Sequence, residues 1–234
     1  MQNFSNINAW VFDLDNTLYP TDYNLFHQID VRMTGFIQRV LNVDKDEAFR
    51  LQKDYLGEYG TTLSGLMNRH NIPTDEFLEF VHDIDVTVLS PDPDLAAAID
   101  ALPGRKFIFT NGTTVHADRV SERLGVRHLF TDVFDIVAAN YIPKPNADIY
   151  PTMTERFGIN ANQAVFFEDM ARNLAPAHKI GMQTVLVHHE DDDGDGHVGM
   201  NGRGPMEEIN FIDHKTTDLT AFLRSILASL DAAH

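Results

Sequence analysis

Two carboxylates two residues apart, Asp13 and Asp15, close the first apolar run of the chain, AWVFDL at residues 9–14. Three further stretches place reactive groups after apolar runs. The first is Thr110-Asn111-Gly112, a hydroxyl followed by a glycine turn that can present backbone N–H groups to an anion. The second is Lys144, stiffened between Pro143 and Pro145, a suitable counter-charge for a phosphate. The third is Glu168-Asp169 after VFF at 165–167, where acids are costly unless charge-paired or metal-bound. Each has an ordinary reading by itself: an Asx turn, a helix cap, a solvent lysine, and an N-cap at Asp169 with a salt bridge to Arg172. All four together, in that order and each at a successive strand end, are not explained that way.

Charge explains why these groups belong together. Asp13, Glu168, Asp169 and a phosphate dianion would repel one another, by ~4 kcal/mol for each unit pair at 4 Å in a medium of dielectric 20. Lys144 alone cannot balance that. An oxygen-only ligand set with phosphate present points to Mg²⁺. The chain has no cysteine and shows no histidine pair at ligand spacing beside these acids, which argues against zinc.

The elements that must position these groups follow from periodicity. Strands are expected at 9–14, 107–109, 134–138, 164–167 and 184–188, alternating with helices at 114–124, 146–157 and 171–180. That alternation implies right-handed βαβ units, a doubly wound, Rossmann-like parallel sheet of the α/β class with helices on both faces. Ligands of such sheets bind beyond the carboxyl ends of the strands. A last helix is expected at 216–230. Residues 22–89 differ: Phe26, Ile29, Met33, Phe36, Ile37 and Val40 follow helical spacing, and further helical stretches follow at 45–57, 61–70 and 74–85. The chain therefore divides into a core of 1–20 and 90–234 and an all-helical cap of 21–89, inserted after the first strand.

The 234 residues, 43% hydrophobic, suffice for such a core. A net charge of −17 opposes binding to nucleic acid or anionic membranes. Without cysteine there are no disulfides or thiolate nucleophiles. No apolar run reaches the ~20 residues of a membrane span, and residues 1–8 carry no signal-peptide pattern. A cytoplasmic protein acting on a small phosphorylated substrate is expected, with neither nucleic acid nor membrane as partner; nothing in the sequence fixes an oligomeric state.

With these residues in place, the chain resembles the haloacid dehalogenase superfamily. Asp13-x-Asp15-x-Thr17-Leu18 resembles its first motif, Thr110 its second, Lys144 its third and Glu168-Asp169 its fourth, and the helical insert is similar to the family's small C1 cap. Asp15 implies phosphoryl transfer, since the dehalogenases lack it. The stretch 13–20, with Tyr59-Gly60-Thr61-Thr62-Leu63, looks like the pyrimidine 5′-nucleotidase group, although that group often has two aspartates where this chain has Glu168-Asp169. The resemblance implies that Asp13 is the nucleophile and Asp15 the acid and base. Thr110, with the backbone at Asn111 and Gly112, would hold phosphate oxygens, and Lys144 would spread charge and orient Asp13. Mg²⁺ would lie between Asp13, the Asp15 carbonyl and Asp169, with Glu168 acting through water and Asn173 either orienting the acids or lying at the surface.

A core that grips only the phosphoryl group leaves discrimination to the insert. Tyr19 and Tyr23 lead from the first motif toward it. Tyr59 and Thr61 are the expected contacts to a nucleoside, although Thr61 equally suits a helix cap. The competing readings are a sugar-phosphate phosphatase or phosphomutase, a dehalogenase, disfavoured by Asp15, and a non-catalytic binding module, disfavoured by the intact motifs. The acids 191–196 match half of a calcium loop but lack its closing glutamate, so 189–206 reads as a solvated loop, and His188 and His189 as strand-end residues.

Overall fold

Side chains along β1 (Ala9–Phe12) alternate between two cores. Trp10 and Phe12 enter one apolar cluster, Ala9 and Val11 the other, as successive residues of a strand must. Its partners are β2 (Arg105–Phe109), β3 (Asp132–Phe134), β4 (Ala164–Glu168), β5 (Gln183–Val187) and β6 (His214–Thr216). The computed structural model describes residues 4–188 and 210–232. Among these the sheet order is β3-β2-β1-β4-β5-β6 with every pairing parallel. The chain winds outward from β1 through β2 and β3, then returns to β4 on the other side. The winding thus reverses between β1 and β4, and a crevice opens beyond their carboxyl ends. The loops leaving these two strands carry Asp13 and Asp169, and Glu168 ends β4.

After β1 come the four helices of the insert: α1 (Leu25–Leu41), α2 (Lys45–Tyr59), α3 (Thr62–His70) and α4 (Thr74–His82). Their ends are set locally. Asp44 accepts the Glu47 N–H at the start of α2, and Gly60, at φ +82°, ends it in the left-handed conformation that glycine adopts without penalty. Thr61 then caps α3 by accepting the Ser64 N–H. Phe36 of α1 and Phe77 of α4 meet edge to face at 5.2 Å, and both belong to the same apolar cluster as Trp10 and Phe12. Of the remaining helices, α5 (Pro93–Ala101), α6 (Thr114–Leu124) and α9 (Leu219–Asp231) pack into that cluster, while α7 (Ile149–Phe157) and α8 (Ala171–Lys179) cover the opposite face. This is the doubly wound α/β sheet with an inserted helical block that periodicity predicts. No helix among the described residues is long and apolar enough to cross a membrane.

Three differences from the sequence reading have local causes. The third strand covers 132–134 rather than 134–138. Asp135 turns the chain, its carboxylate accepting the Thr114 N–H, the Thr114 hydroxyl and the Ala138 N–H. The expected helix at 74–85 ends at His82, where Arg119 of α6 donates to the freed carbonyls of His82 and Ile84. β6 is short and half exposed, so it gives no apolar signal. His188 does follow a strand, donating its N–H to Thr216 O. His189, the calcium-like acids and the loop 189–206 lie outside the described residues.

Candidate active site

The four sequence motifs meet at the carboxyl ends of β1, β2 and β4. Lys144 is buried there, and its ammonium donates to Asp13 Oδ1 at 2.7 Å, Glu168 Oε2 at 2.6 Å and the Phe109 carbonyl at 3.0 Å. All three N–H groups of the ammonium are thus committed. Asn111 fixes the backbone that delivers the lysine: its Oδ1 accepts the Lys144 N–H at 2.8 Å and its Nδ2 donates to the Lys144 carbonyl at 3.3 Å. The expected substrate contact at Asn111 is therefore occupied, on the side-chain side, by Lys144. Thr110 is buried, and its Oγ1 accepts the Gly112 N–H at 2.9 Å, which leaves the hydroxyl proton for another acceptor. A Cβ on Gly112 would come within 3.1 Å of His116 Cδ2 and 3.3 Å of Thr110 Oγ1, so the turn is tight.

Three carboxylates face one lysine. Oxygens of Asp13, Glu168 and Asp169 can be chosen that all lie within 4.8 Å of one another. Burial above all, then the charge of Glu168, pushes the Asp13 carboxyl up to about 8, against the pull of Lys144. Burial likewise holds Asp169 well above the usual carboxylate range, again with Glu168 beside it. Burial is also the largest influence on Glu168, but the charge and hydrogen bond of Lys144, with hydrogen bonds from Asp169 and the Met170 N–H, together keep that carboxyl low. Oxygen donors this crowded and this poorly neutralised fit a hard divalent cation. The Oδ1 of Asn173, buried without a donor among the described residues, lines the same cavity and adds an unclaimed acceptor. Glu168 differs from the other two acids, because its Oε1 accepts the Met170 N–H at 3.1 Å and its Oε2 is held by Lys144.

Asp15 has a separate environment. Tyr19 donates its hydroxyl to Asp15 Oδ1 at 2.6 Å, and His116 Nε2 lies 2.9 and 3.2 Å from the two carboxylate oxygens. Burial would raise the Asp15 pKa, but the charge and hydrogen bond of His116, with Tyr19 helping, hold it below its ordinary value. His82, the last residue of α4, stacks on the His116 ring at 4.5 Å and 13°. Burial foremost, then His116, pushes His82 down to about 3. The structure thus puts two histidines beside the acids, although no histidine spacing in the sequence marks them.

A cavity of about 850 Å³ joins Asp13, Asp15, Thr110 and Asp169 to the helical block. Gly60, Thr61 and Thr62 line it, but Tyr59 does not. The Tyr59 hydroxyl accepts from Arg69 Nε at 2.6 Å, and its ring meets Tyr55 at 6.3 Å. Tyr59 thus spends its hydroxyl on Arg69 and is not among the residues lining this cavity. Thr61 follows the capping alternative, with its Oγ1 accepting the Ser64 N–H and 2.9 Å from Ser64 Oγ. Tyr19 spends its hydroxyl on Asp15.

These features have counterparts in known proteins. The chain is 28% identical over 237 residues to phosphate metabolism protein 8 of Saccharomyces cerevisiae, covering 94% of this chain and 70% of that protein. It is 28% identical to a glyceraldehyde 3-phosphate phosphatase of Methanocaldococcus jannaschii, covering 77% of this chain and 85% of the relative. Among solved structures, an HAD phosphatase from Thermococcus onnurineus superposes with a TM-score of 0.63 at 21% identity, over 95% of this chain and 99% of the other. The L-2-haloacid dehalogenase of Xanthobacter autotrophicus with chloropropionic acid covalently bound gives 0.56 at 16% identity, over 94% and 98%. Both share the fold. The family model of haloacid dehalogenase-like hydrolases matches residues 7–181, and the chain belongs to that family.

Proposed function

We propose that the chain is a Mg²⁺-dependent phosphomonoester hydrolase working through an aspartyl-phosphate on Asp13, with pyrimidine nucleoside 5′-monophosphates as substrates. The observation that carries this reading is the pair Asp13 and Asp15, two residues apart but held differently: one by Lys144 among acids, the other by His116 and Tyr19. Two carboxyl groups in unlike environments suit a nucleophile and an acid–base partner.

Asp13 attacks phosphorus and the ester oxygen leaves. Lys144 fixes the rotamer of Asp13 and offsets charge as the attack proceeds. The free hydroxyl proton of Thr110 and the Asn111 N–H hold phosphoryl oxygens, while the Gly112 N–H stays on Thr110 Oγ1. Asp15 gives a proton to the leaving oxygen, then takes one from the water that cleaves the acyl phosphate. The incoming dianion favours the protonated acid and so counters the pull of His116 on Asp15. Asp13, Asp169 and the Asp15 carbonyl would hold Mg²⁺, with Glu168 behind them, and the bound ion supplies charge neutralisation at the phosphoryl group. Asp15→Asn should therefore cost alkyl phosphates ~10²–10⁴-fold in kcat and aryl phosphates, with better leaving groups, clearly less. Equal losses on both would remove Asp15 from the acid role.

A second reading draws on the archaeal relatives named glyceraldehyde 3-phosphate phosphatases: a small sugar phosphate as substrate. The cavity of about 850 Å³ favours the larger leaving group, since pockets of ~300–1,000 Å³ hold whole drug-sized ligands. Phosphate release from UMP, CMP, glyceraldehyde 3-phosphate and p-nitrophenyl phosphate with Mg²⁺ separates the readings. UMP or CMP should show the highest kcat/KM. A higher value for the triose phosphate would replace the nucleotide reading, and release from none of them would reject the phosphatase itself.

A further inference from the structure

The helical block holds a polar chain that the proposed reaction does not use. Thr34 of α1 donates its hydroxyl to Gln52 Oε1 of α2 at 2.6 Å. Gln52 Nε2 donates to Asp30 Oδ1 at 2.6 Å, and Lys53 Nζ donates to the same oxygen at 2.9 Å. The Thr62 hydroxyl braces the Gln52 carbonyl at 3.3 Å. Thr34, Gln52 and Thr62 are buried. Asp30, Gln52 and Lys53 line the cavity that contains Asp13.

Two other ion pairs of the block belong to solvent. In Arg39–Glu76 and Arg69–Glu58 every side chain is at least half exposed, and such pairs contribute little. In Lys53–Asp30 the side chains retain only 21% and 18% exposure. A largely covered pair braced by a fully buried amide costs desolvation that an apolar wall would avoid. Its open valences belong to two residues that line the cavity. Both bonds to Asp30 end on Oδ1, and no described residue donates to Oδ2. Lys53 has one N–H on Asp30 and lies over the Phe49 ring at 4.9 Å, which leaves N–H groups unspent.

We propose that Asp30 and Lys53, held by Gln52, form the subsite that reads the leaving group, and that they select an uncharged group presenting a hydrogen-bond donor beside an acceptor. This rests on the phosphomonoesterase reading and moves its specificity determinant from Tyr59 to the α1–α2 wall. The pair is neutral overall, so it gives no net attraction to a second phosphate or carboxylate. Its free carboxylate oxygen needs an O–H or N–H donor, and its ammonium needs an acceptor. Hydroxyls of a sugar and the amide edge of a pyrimidine both meet that demand through charge-assisted bonds. Phe49 and Met33, on the same wall, offer apolar area to a ring.

The test compares wild type with Asp30→Asn and Lys53→Met on four substrates: UMP, 2′,3′-dideoxyuridine 5′-monophosphate, ribose 5-phosphate and p-nitrophenyl phosphate. For each variant the ratio of kcat/KM for UMP to that for p-nitrophenyl phosphate should fall about tenfold or more, one charge-assisted bond's worth, mainly through KM. Loss on ribose 5-phosphate but not on the dideoxynucleotide assigns the sugar hydroxyls; the reverse assigns the base. Parallel losses on UMP and p-nitrophenyl phosphate would overturn the subsite, because the network would then merely hold the block together. Calorimetric binding of uridine, which has no phosphate, gives a second readout. Binding by wild type that weakens in both variants supports the subsite even if no ester is cleaved, and then only the phosphatase reading fails. Equal or absent binding of uridine in wild type and variants counts against the subsite itself.

Discussion

Asp13→Asn is expected to cut turnover of every phosphomonoester by ~10⁴-fold or more, the scale seen when a catalytic nucleophile is removed. The amide has the same shape and can still accept from Lys144, so the loss should fall on kcat. Stability should move the other way. Burial and Glu168 raise the Asp13 carboxyl from 3.8 to about 8. A raised acid binds its proton more tightly in the folded protein, so stability drains away as pH climbs from about 4 to about 8. At pH 7 and without metal, the wild type pays that penalty and Asp13→Asn does not. The variant should therefore melt at a higher temperature than the metal-free wild type while being inactive. Thermal melts in chelator and initial rates in Mg²⁺ check both halves. A variant that keeps more than a tenth of the activity rules Asp13 out as nucleophile. One that melts lower shows that the carboxylate is not strained in the way its surroundings imply.

Legibility differs sharply between the acid cluster and the rest of the cavity. Asp13, Glu168 and Lys144 announce themselves because each interrupts or follows an apolar strand or a rigid proline turn, where an unpaired charge is costly. The sheet was readable for a related reason: strands buried on both faces are short apolar runs, and β1, β2 and β4 have no competing period. β3 was misplaced because its apolar run continues through Val137 and Ala138, while the turn is set by Asp135, whose hydrogen bonds reach α6. His116 carries no local signal. It sits 101 positions from Asp15, and a histidine in the first turn of an amphipathic helix reads as packing. Tyr59 shows the opposite case: an aromatic beside Gly60 suggests a ligand contact, while Arg69 ten residues on, invisible to local pattern, claims its hydroxyl. Asp30 and Lys53 look like solvated helix positions until α1 and α2 are laid side by side.

The acid cluster also ranks its own members. Glu168 has Lys144 on one oxygen and the Met170 N–H on the other, whereas among the described residues no backbone N–H or lysine claims Asp169. A cation entering the cluster can bond Asp169 by displacing only the proton it shares with Glu168; to bond Glu168 directly it must displace Lys144 or the backbone. Asp169→Ala should thus raise the Mg²⁺ concentration for half-maximal activity by more than ~100-fold, beyond the 10–100-fold typical when a supporting partner of a metal site is lost. Glu168→Gln should stay within that smaller range, with its larger effect on kcat, because Lys144 loses a counter-charge and Asp13 loses its repelling neighbour. The melting temperature gives a readout independent of turnover. Saturating Mg²⁺ should stabilise the wild type by relieving the repulsion that burial imposes on Asp13 and Asp169. It should still stabilise Glu168→Gln and leave Asp169→Ala nearly unmoved. Equal Mg²⁺ shifts in the two variants would mean that the lysine bond yields to the metal and that Glu168 is a direct ligand after all.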